Sequence, residues 1–345
     1  MVDWCVRAKS DCIAVRRHSD AHTFIPKAGG ASDLAWRATL DIMLWVGHRH
    51  RVFIPRRLDK FLRDATPLSV AEIRLGCLSG RVSIVGPDGE TAASPEPEML
   101  VFGDDHITLD GSIVRQRTTF HYALFNKPRF MTVTNHDPVG KTCLLPVLQQ
   151  MPAGVFAVGR LDRETSGALL FTDDGDFANA VLRPERQTEK QYWLWLDESL
   201  DAEDPRVKAF ERGVAVSPET APLRVSRATL LHQTLDYTEL LVSLHEGKNR
   251  HLRKMCNLLG LRLLQLHRLS IAGLTVEPLP VGQWRPLAPD EVEQVWTNTG
   301  GRAVAVRHKL LALEDVARRA RQSATPHARL EKWLNSIGRD GLMQF

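Results

Sequence analysis

From residue 55 onward, the apolar positions of this 345-residue chain fall into clear periods. In "PRRLDKFLRDA", Leu58, Phe61, Leu62 and Ala65 recur at i, i+3, i+4 and i+7, while Arg57, Lys60 and Arg63 occupy the remaining surface. That spacing lays the apolar side chains along one stripe and predicts a helix. Ser69 followed by Glu72 forms a capping-box pattern, which predicts a second helix over 70–78, and Gly80 supplies its stop. "RVSIV" then alternates as a strand, and "DHITLDGSIV" reads as a hairpin turning on Asp110 and Gly111. The pattern predicts a small helix–helix–strand–hairpin module over 55–115.

A second, larger unit is predicted over 119–296. Strand patterns in "GVFAVGRLD", "GALLFTDDG", "KQYWLWL", "APLRVSRATLL", "YTELLVSLHEG" and "LRLLQLHRLSIAGL" alternate with helix patterns in "DFANAVLRP" and "NRHLRKMCNLLG". Short connections between consecutive strands favour antiparallel neighbours. The fold class is therefore α+β, with a mixed, largely antiparallel sheet flanked by helices. Residues 1–54 show no period and read as a weakly ordered basic extension. Residues 297–345 read as a basic tail with a loose end, partly helical from Leu310 to Ala320.

Charge changes this picture at the two ends. Residues 1–57 carry ten Lys and Arg against five Asp, and residues 297–345 carry nine against four acids. Such ends are either solvated tails or arms for a polyanion. The five cysteines, Cys5, Cys12, Cys77, Cys143 and Cys256, are scattered and lack any C-x-x-C spacing. This pattern points to reduced thiols in a cytoplasm, and argues against a disulfide framework or a zinc site. "DIMLWVG" is far too short to span a bilayer, so no membrane partner is expected.

Candidate chemistry concentrates in "GRLDRETSGALLFTDDG", residues 159–175. Asp162 follows an apolar strand pattern, and a lone acid at such a place is more often a turn cap than a reactant. Three features shift that balance. Arg160 lies two residues back on the same side of an extended chain. Gly159 and Gly167 allow close approach of another backbone, and Thr165 and Ser166 offer hydroxyls. A partly desolvated carboxylate beside a guanidinium is a competent nucleophile or base.

Lys190 and Tyr192 share one face of the "KQYWLWL" strand, and the ring could stack on a base. In "HEGKNRHLRKM", the cations Lys248, Arg250, Arg253 and Lys254 crowd a predicted helix start, where they oppose the helix dipole. Arg250 and Arg253 are three apart, so one could pair with Asp162 and the other with phosphate. His267 and Arg268 add cationic character. A hydrolase built on Asp162 with Asp173 or Asp174 is the weaker reading, since "TDDG" reads as a helix cap.

"GRLDRETSGALLFTDDG", "EKQY", "EGKNRHLRKM" and "LHRLSIAGLTVEPLPVGQWRPL", in that order, resemble the ribosomal small-subunit pseudouridine synthase A family and its large-subunit relatives. "RLDKFLRDATPLSVAEIRLGCLSGRVSIVG" resembles the S4 RNA-binding domain that precedes the catalytic domain in that family. The resemblance implies a monomeric, cofactor-free and metal-free isomerase that converts uridine to pseudouridine in structured RNA. Ribosomal RNA is the first choice of target and tRNA the second. It further implies that Asp162 is the essential carboxylate, that Arg160 helps evict the nucleotide, that Tyr192 packs on uracil and that Arg253 partners Asp162. Lys190, Arg250, Arg57, Lys60 and Arg81 complete the expected RNA contacts.

The chain departs from the family pattern at Ala168, at His251 and in the acidic loop "GPDGETAASPEPEM". Residues 56–114 hold six Lys and Arg against ten acids, which weakens phosphate binding by that module. The rival reading is a non-catalytic S4-type RNA-binding or ribosome-associated factor. Asp162 discriminates between the two, since a pure binder has no use for an acid on a basic RNA surface.

Overall fold

The computed structural model describes residues 53–134, 142–217, 219–322 and 327–341. Apart from Phe53 and Ile54, the basic extension expected over 1–54 lies outside the described residues.

The N-terminal module runs through β1 (Arg56–Arg57), α1 (Leu58–Ala65), α2 (Val70–Leu78), β2 (Val82–Val85), β3 (Thr91–Ala92), β4 (Leu100–Val101), β5 (His106–Leu109) and β6 (Ser112–Ile113). Leu58, Leu62, Ile73 and Val82 are fully buried in its core, as the helical and strand periods require. The capping box forms: the Glu72 amide donates to Ser69 Oγ, and the Ser69 amide donates to Glu72 Oε2. The β5–β6 hairpin turns on Asp110 and Gly111, both at positive φ, the geometry that favours Asp-Gly.

The larger unit comprises β7 (Tyr122–Lys127), α3 (Leu145–Leu148), β8 (Phe156–Ala157), β9 (Thr165–Thr172), α4 (Gly175–Leu182), β10 (Lys190–Leu196) and α5 (Pro205–Arg212). It continues through β11 (Arg227–Gln233), β12 (Thr238–Leu244), α6 (His251–Leu258), β13 (Leu263–Ile271), β14 (Leu274–Thr275), β15 (Trp284–Pro286) and α7 (Pro289–Asn298). Its sheet has the order β11-β12-β10-β13-β9-β7-β15, with β8 beside β9 and β14 beside β13. Every pairing is antiparallel except β9 with β13, at the centre.

β9 is buried along its whole length. Ala168 and Leu170 face a core with Leu124, Phe177 and Trp296, while Leu169 and Phe171 face another with Phe125, Leu144 and Leu161. A strand covered on both faces needs a continuous apolar run, which is what "GALLF" supplies.

The strand pattern in "GVFAVGRLD" yields only the short β8, and the one over 221–231 begins at Arg227. α5 escaped the periodic reading, although Asp204 caps it, Pro205 opens it and Gly213 closes it. The tail also differs from expectation. α8 (Gly301–Gln322) is longer than the 310–320 helix, and α9 (Ala328–Gly341) follows it. Leu313, Ala317 and Leu330 bury Phe102 of the N-terminal module, while Arg329 sits 4.2 Å over the Phe102 ring and bonds Asp104 and Asp105. Lys309 pairs with Asp176 on α4. The basic tail side chains are thus largely spent on intramolecular acids.

Candidate active site

β9 and β13 approach so closely that a Cβ at Gly167 would lie 2.2 Å from the Arg268 carbonyl oxygen. Gly167 also sits at φ +107°, outside the range of side-chain-bearing residues. This glycine lets two strands run parallel at the sheet centre, and the loop before β9 is thereby brought beside the N-terminus of α6. Asp162 lies in that loop.

The Asp162 backbone carbonyl accepts from the Thr165 amide at 3.0 Å, which closes a turn. Its side chain is half-buried and accepts no hydrogen bond from any described residue. Arg253 of α6 places its Nε 3.9 Å from Asp162 Oδ2. That Nε is buried and has no hydrogen-bond partner among the described residues, whereas Nη2 donates to Thr165 Oγ1 at 3.2 Å. Burial pulls the Arg253 pKa down, opposed by Glu164 and Asp162. A guanidinium stays charged regardless. An unmade bond to a buried donor costs about 1–3 kcal/mol, so this one is held ready for a partner.

Arg250 takes the N-cap position of α6 with left-handed backbone (φ +50°), and its Nη1 lies 3.3 Å from Glu164 Oε2. Of the two arginines three apart, Arg253 meets Asp162 and Arg250 meets its neighbour Glu164. Arg160 is exposed, and the guanidinium that faces Asp162 is Arg253 instead. Tyr192 is half-buried on β10 and packs against the core that contains Leu161, adjacent to Asp162. Lys190 is turned inward, where Nζ donates to the Thr188 carbonyl and burial pulls its pKa down to about 8.

His267 and Arg268 are not surface cations. His267 Nδ1 lies 2.9 Å from Ser166 Oγ, and burial pulls its pKa down to about 4, so it is neutral near pH 7. Arg268 is buried, with Nε donating to the Ala168 carbonyl at 2.7 Å. His251 is also buried at the α6 N-terminus, 3.4 Å from Glu246, and desolvation pulls its pKa down.

Arg57, Lys60 and Arg81 belong to the N-terminal module. Arg57 is paired with Asp59 and Glu98, and Arg81 is held bidentately by Asp110, while Lys60 is exposed. The acid excess of the module explains why two of its three candidate cations are already neutralised. Its α1 meets the larger unit near Gly175, with Arg63 and Asp64 beside that glycine, at the opposite end of β9 from Asp162. Asp173 and Asp174 lie at that far end too, engaged by Arg117, His121, Tyr122 and the start of α4, so they form no acid–base pair with Asp162.

The sequence reading missed Lys127, at the end of β7. Its side chain is fully buried, yet Nζ donates to the Pro128 and Met131 carbonyls at 2.9 and 2.8 Å and reaches the Arg163 carbonyl at 3.5 Å. Burial pulls its pKa down to about 8, opposed by Asp162. It ties the turn after β7 to the Asp162 loop. The signal was a lysine ending a mostly apolar strand immediately before a proline.

The sequence profile of the RNA pseudouridylate synthase family matches residues 121–258. The ribosomal small subunit pseudouridine synthase A of Vibrio cholerae is 30% identical over 246 residues, covering 70% of this chain and 99% of the relative. The ribosomal large subunit pseudouridine synthase B of Bacillus subtilis is 30% identical over 242 residues, 69% of this chain and 95% of the relative. The crystal structure of a pseudouridylate synthase is 25% identical over 70% of this chain and 99% of its own, with a TM-score of 0.47.

Proposed function

We propose that this chain, which belongs to the RNA pseudouridine synthase family, isomerises a uridine of ribosomal RNA with Asp162 as its catalytic carboxylate. Membership of an isomerase family sets aside the non-catalytic alternative. The preference for ribosomal RNA follows from the two relatives, whose names carry one ribosomal subunit each.

The reaction exchanges one bond for another. The ribose C1′–N1 bond breaks, uracil turns, C1′ bonds to C5, a proton leaves C5, and a proton arrives at N1. Nothing is gained or lost, so no co-reactant is consumed. The enzyme must first extrude the nucleotide, because its C1′ is shielded within a stack. One observation carries the assignment: the Asp162 carboxylate accepts no hydrogen bond from a described residue, yet faces an unpaired, buried Arg253 Nε at 3.9 Å.

Arg253 steers the carboxylate and is placed to stabilise negative charge as the C1′–N1 bond polarises, a contribution typically worth about 10²–10³ in rate. Tyr192 offers its ring to the uracil, Arg160 helps evict the nucleotide, and Arg250 and Lys190 complete the basic surroundings. Residues 55–115 serve as an S4-like RNA-binding module, with Lys60 its exposed cation and Arg57 and Arg81 contributing only if their acids are displaced. Among the described residues no helix is long and apolar enough to cross a membrane. The enzyme is further proposed to act as a cytoplasmic monomer.

The test is a pseudouridine map of ribosomal RNA taken from cells lacking this protein, then incubated with it in purified form. One newly modified position, absent with D162A, is expected. An unchanged map on both subunits' RNA would refute the substrate assignment, and modification by D162A would refute the residue.

A further inference from the structure

Phe130 occupies the turn after β7 in a conformation that folding alone does not favour. Its φ is +66°, in the left-handed region that costs a side-chain-bearing residue about 1–2 kcal/mol. Half of its surface remains open to solvent, so burial gives little back, and it is the only aromatic among the large apolar side chains left exposed in the described residues. Two guanidiniums converge on the ring, Arg129 at 5.1 Å and Arg163 at 5.4 Å from its centroid. Each guanidinium is attracted to the ring face, so the exposed ring gathers two cations at one point of the surface.

The turn is held from beneath. The Phe130 amide donates to the Arg163 carbonyl at 2.6 Å, and Lys127 clamps the flanking Pro128 and Met131 carbonyls. Arg163 directly follows Asp162 in the chain, and Arg129 lies close enough to Arg253 to influence its titration. The ring and its two cations therefore stand on the rim of the Asp162 site. A strained, exposed aromatic that the surrounding structure holds in place points to a ligand.

We propose that Phe130, flanked by Arg129 and Arg163, is a stacking platform for an unpaired RNA base next to the extruded uridine, a substrate-positioning site distinct from Tyr192. Every base offers a π-face, and the guanidiniums supply charge for the adjoining phosphates. This proposal rests on the reading of the chain as an RNA-modifying enzyme.

The test uses the full chain and two labelled probes, a 12-nucleotide oligouridylate and a ribose-phosphate oligomer of equal length without bases. Glycine tolerates φ +66°, so F130G is expected to fold and to melt no lower than the parent. F130G should bind oligouridylate about tenfold more weakly, within the range for loss of one stacked base. It should bind the abasic oligomer unchanged, and F130Y should restore the parent affinity. On ribosomal RNA the same loss should appear in KM, with kcat kept. Equal binding of oligouridylate by F130G and the parent, or equal losses on both probes, would overturn the platform while leaving the enzyme assignment intact. Failure of the parent to modify ribosomal RNA would instead strike the functional reading itself.

Discussion

β9 separates two groups of carboxylates that look alike in the sequence and differ in the fold. At its far end, Asp173 is buried, accepting from the His121 amide at 2.7 Å and pairing with Arg117 and the His121 ring. Asp174 is buried too, accepting from the Tyr122 hydroxyl at 2.8 Å and from the Asp176 and Phe177 amides at 2.9 and 3.1 Å, which caps α4. At the near end, Asp162 is half-open and takes none of these bonds; its cation waits at 3.9 Å. A carboxylate whose lone pairs are filled by its own protein is holding the fold. One left unfilled beside a buried guanidinium is free to act on something else.

The largest loss of stability expected from breaking this contrast is at the far end. D174A should lower unfolding stability by about 3 kcal/mol, through a lost helix cap and an orphaned buried tyrosine hydroxyl. Activity per folded molecule should persist, as read by denaturant unfolding alongside single-turnover conversion. Loss of conversion in a still-folded D174A would erase the distinction.

Titration sharpens the comparison, because the two ends carry opposite signs. Burial, aided by Asp176, raises Asp174 to about 6 from 3.8. Between about pH 4 and 6 the folded state then binds more protons than the unfolded one, so this group favours folding at low pH and loses that advantage as pH rises to 6. His267, pulled down to about 4 by burial, does the reverse. Its contribution is full above pH 6.5 and fades as pH falls toward 4. D174N should accordingly gain stability with rising pH across 4–6.5 relative to the parent, and H267Q should lose it. Parallel profiles for all three would show that neither group is coupled to folding.

At the near end, R253M should lower kcat about a hundredfold with KM changed far less. A pure KM effect would reduce Arg253 to a phosphate contact. Smallest is the tyrosine pair: Y192A should cost about tenfold in kcat/KM, while Y192F, which keeps the ring, should stay within about twofold. Equal losses would transfer the role from the ring to the hydroxyl.

How far such distinctions can be read from sequence depends on whether the signal is local. The α1 stripe, the Ser69–Glu72 box, the Asp110–Gly111 turn and the apolar GALLF run of β9 are set by neighbouring residues, and each forms where its pattern lies. The residues around Asp162 were legible as candidates, but the pairing of Arg253 rather than Arg160 with it depends on α6, brought there by the parallel β9–β13 contact at Gly167. Cations turned inward were the hardest to read. Lys127, Lys190 and Arg268 look like surface charges in a string of letters, and only the sheet shows their bonds to main-chain carbonyls. The packing of the tail was illegible for the same reason, since Lys309 and Arg329 meet acids more than 100 residues away.

The most direct measurement compares D162N with the parent in three readouts on one preparation: pseudouridine formed in ribosomal RNA at enzyme excess, RNA affinity, and melting temperature. The account predicts conversion lowered at least about 10⁴-fold, affinity within about twofold and melting within a few degrees. Conversion at the parent's rate, or a melting loss of the size expected for D174A, would place Asp162 with the structural carboxylates and contradict the account.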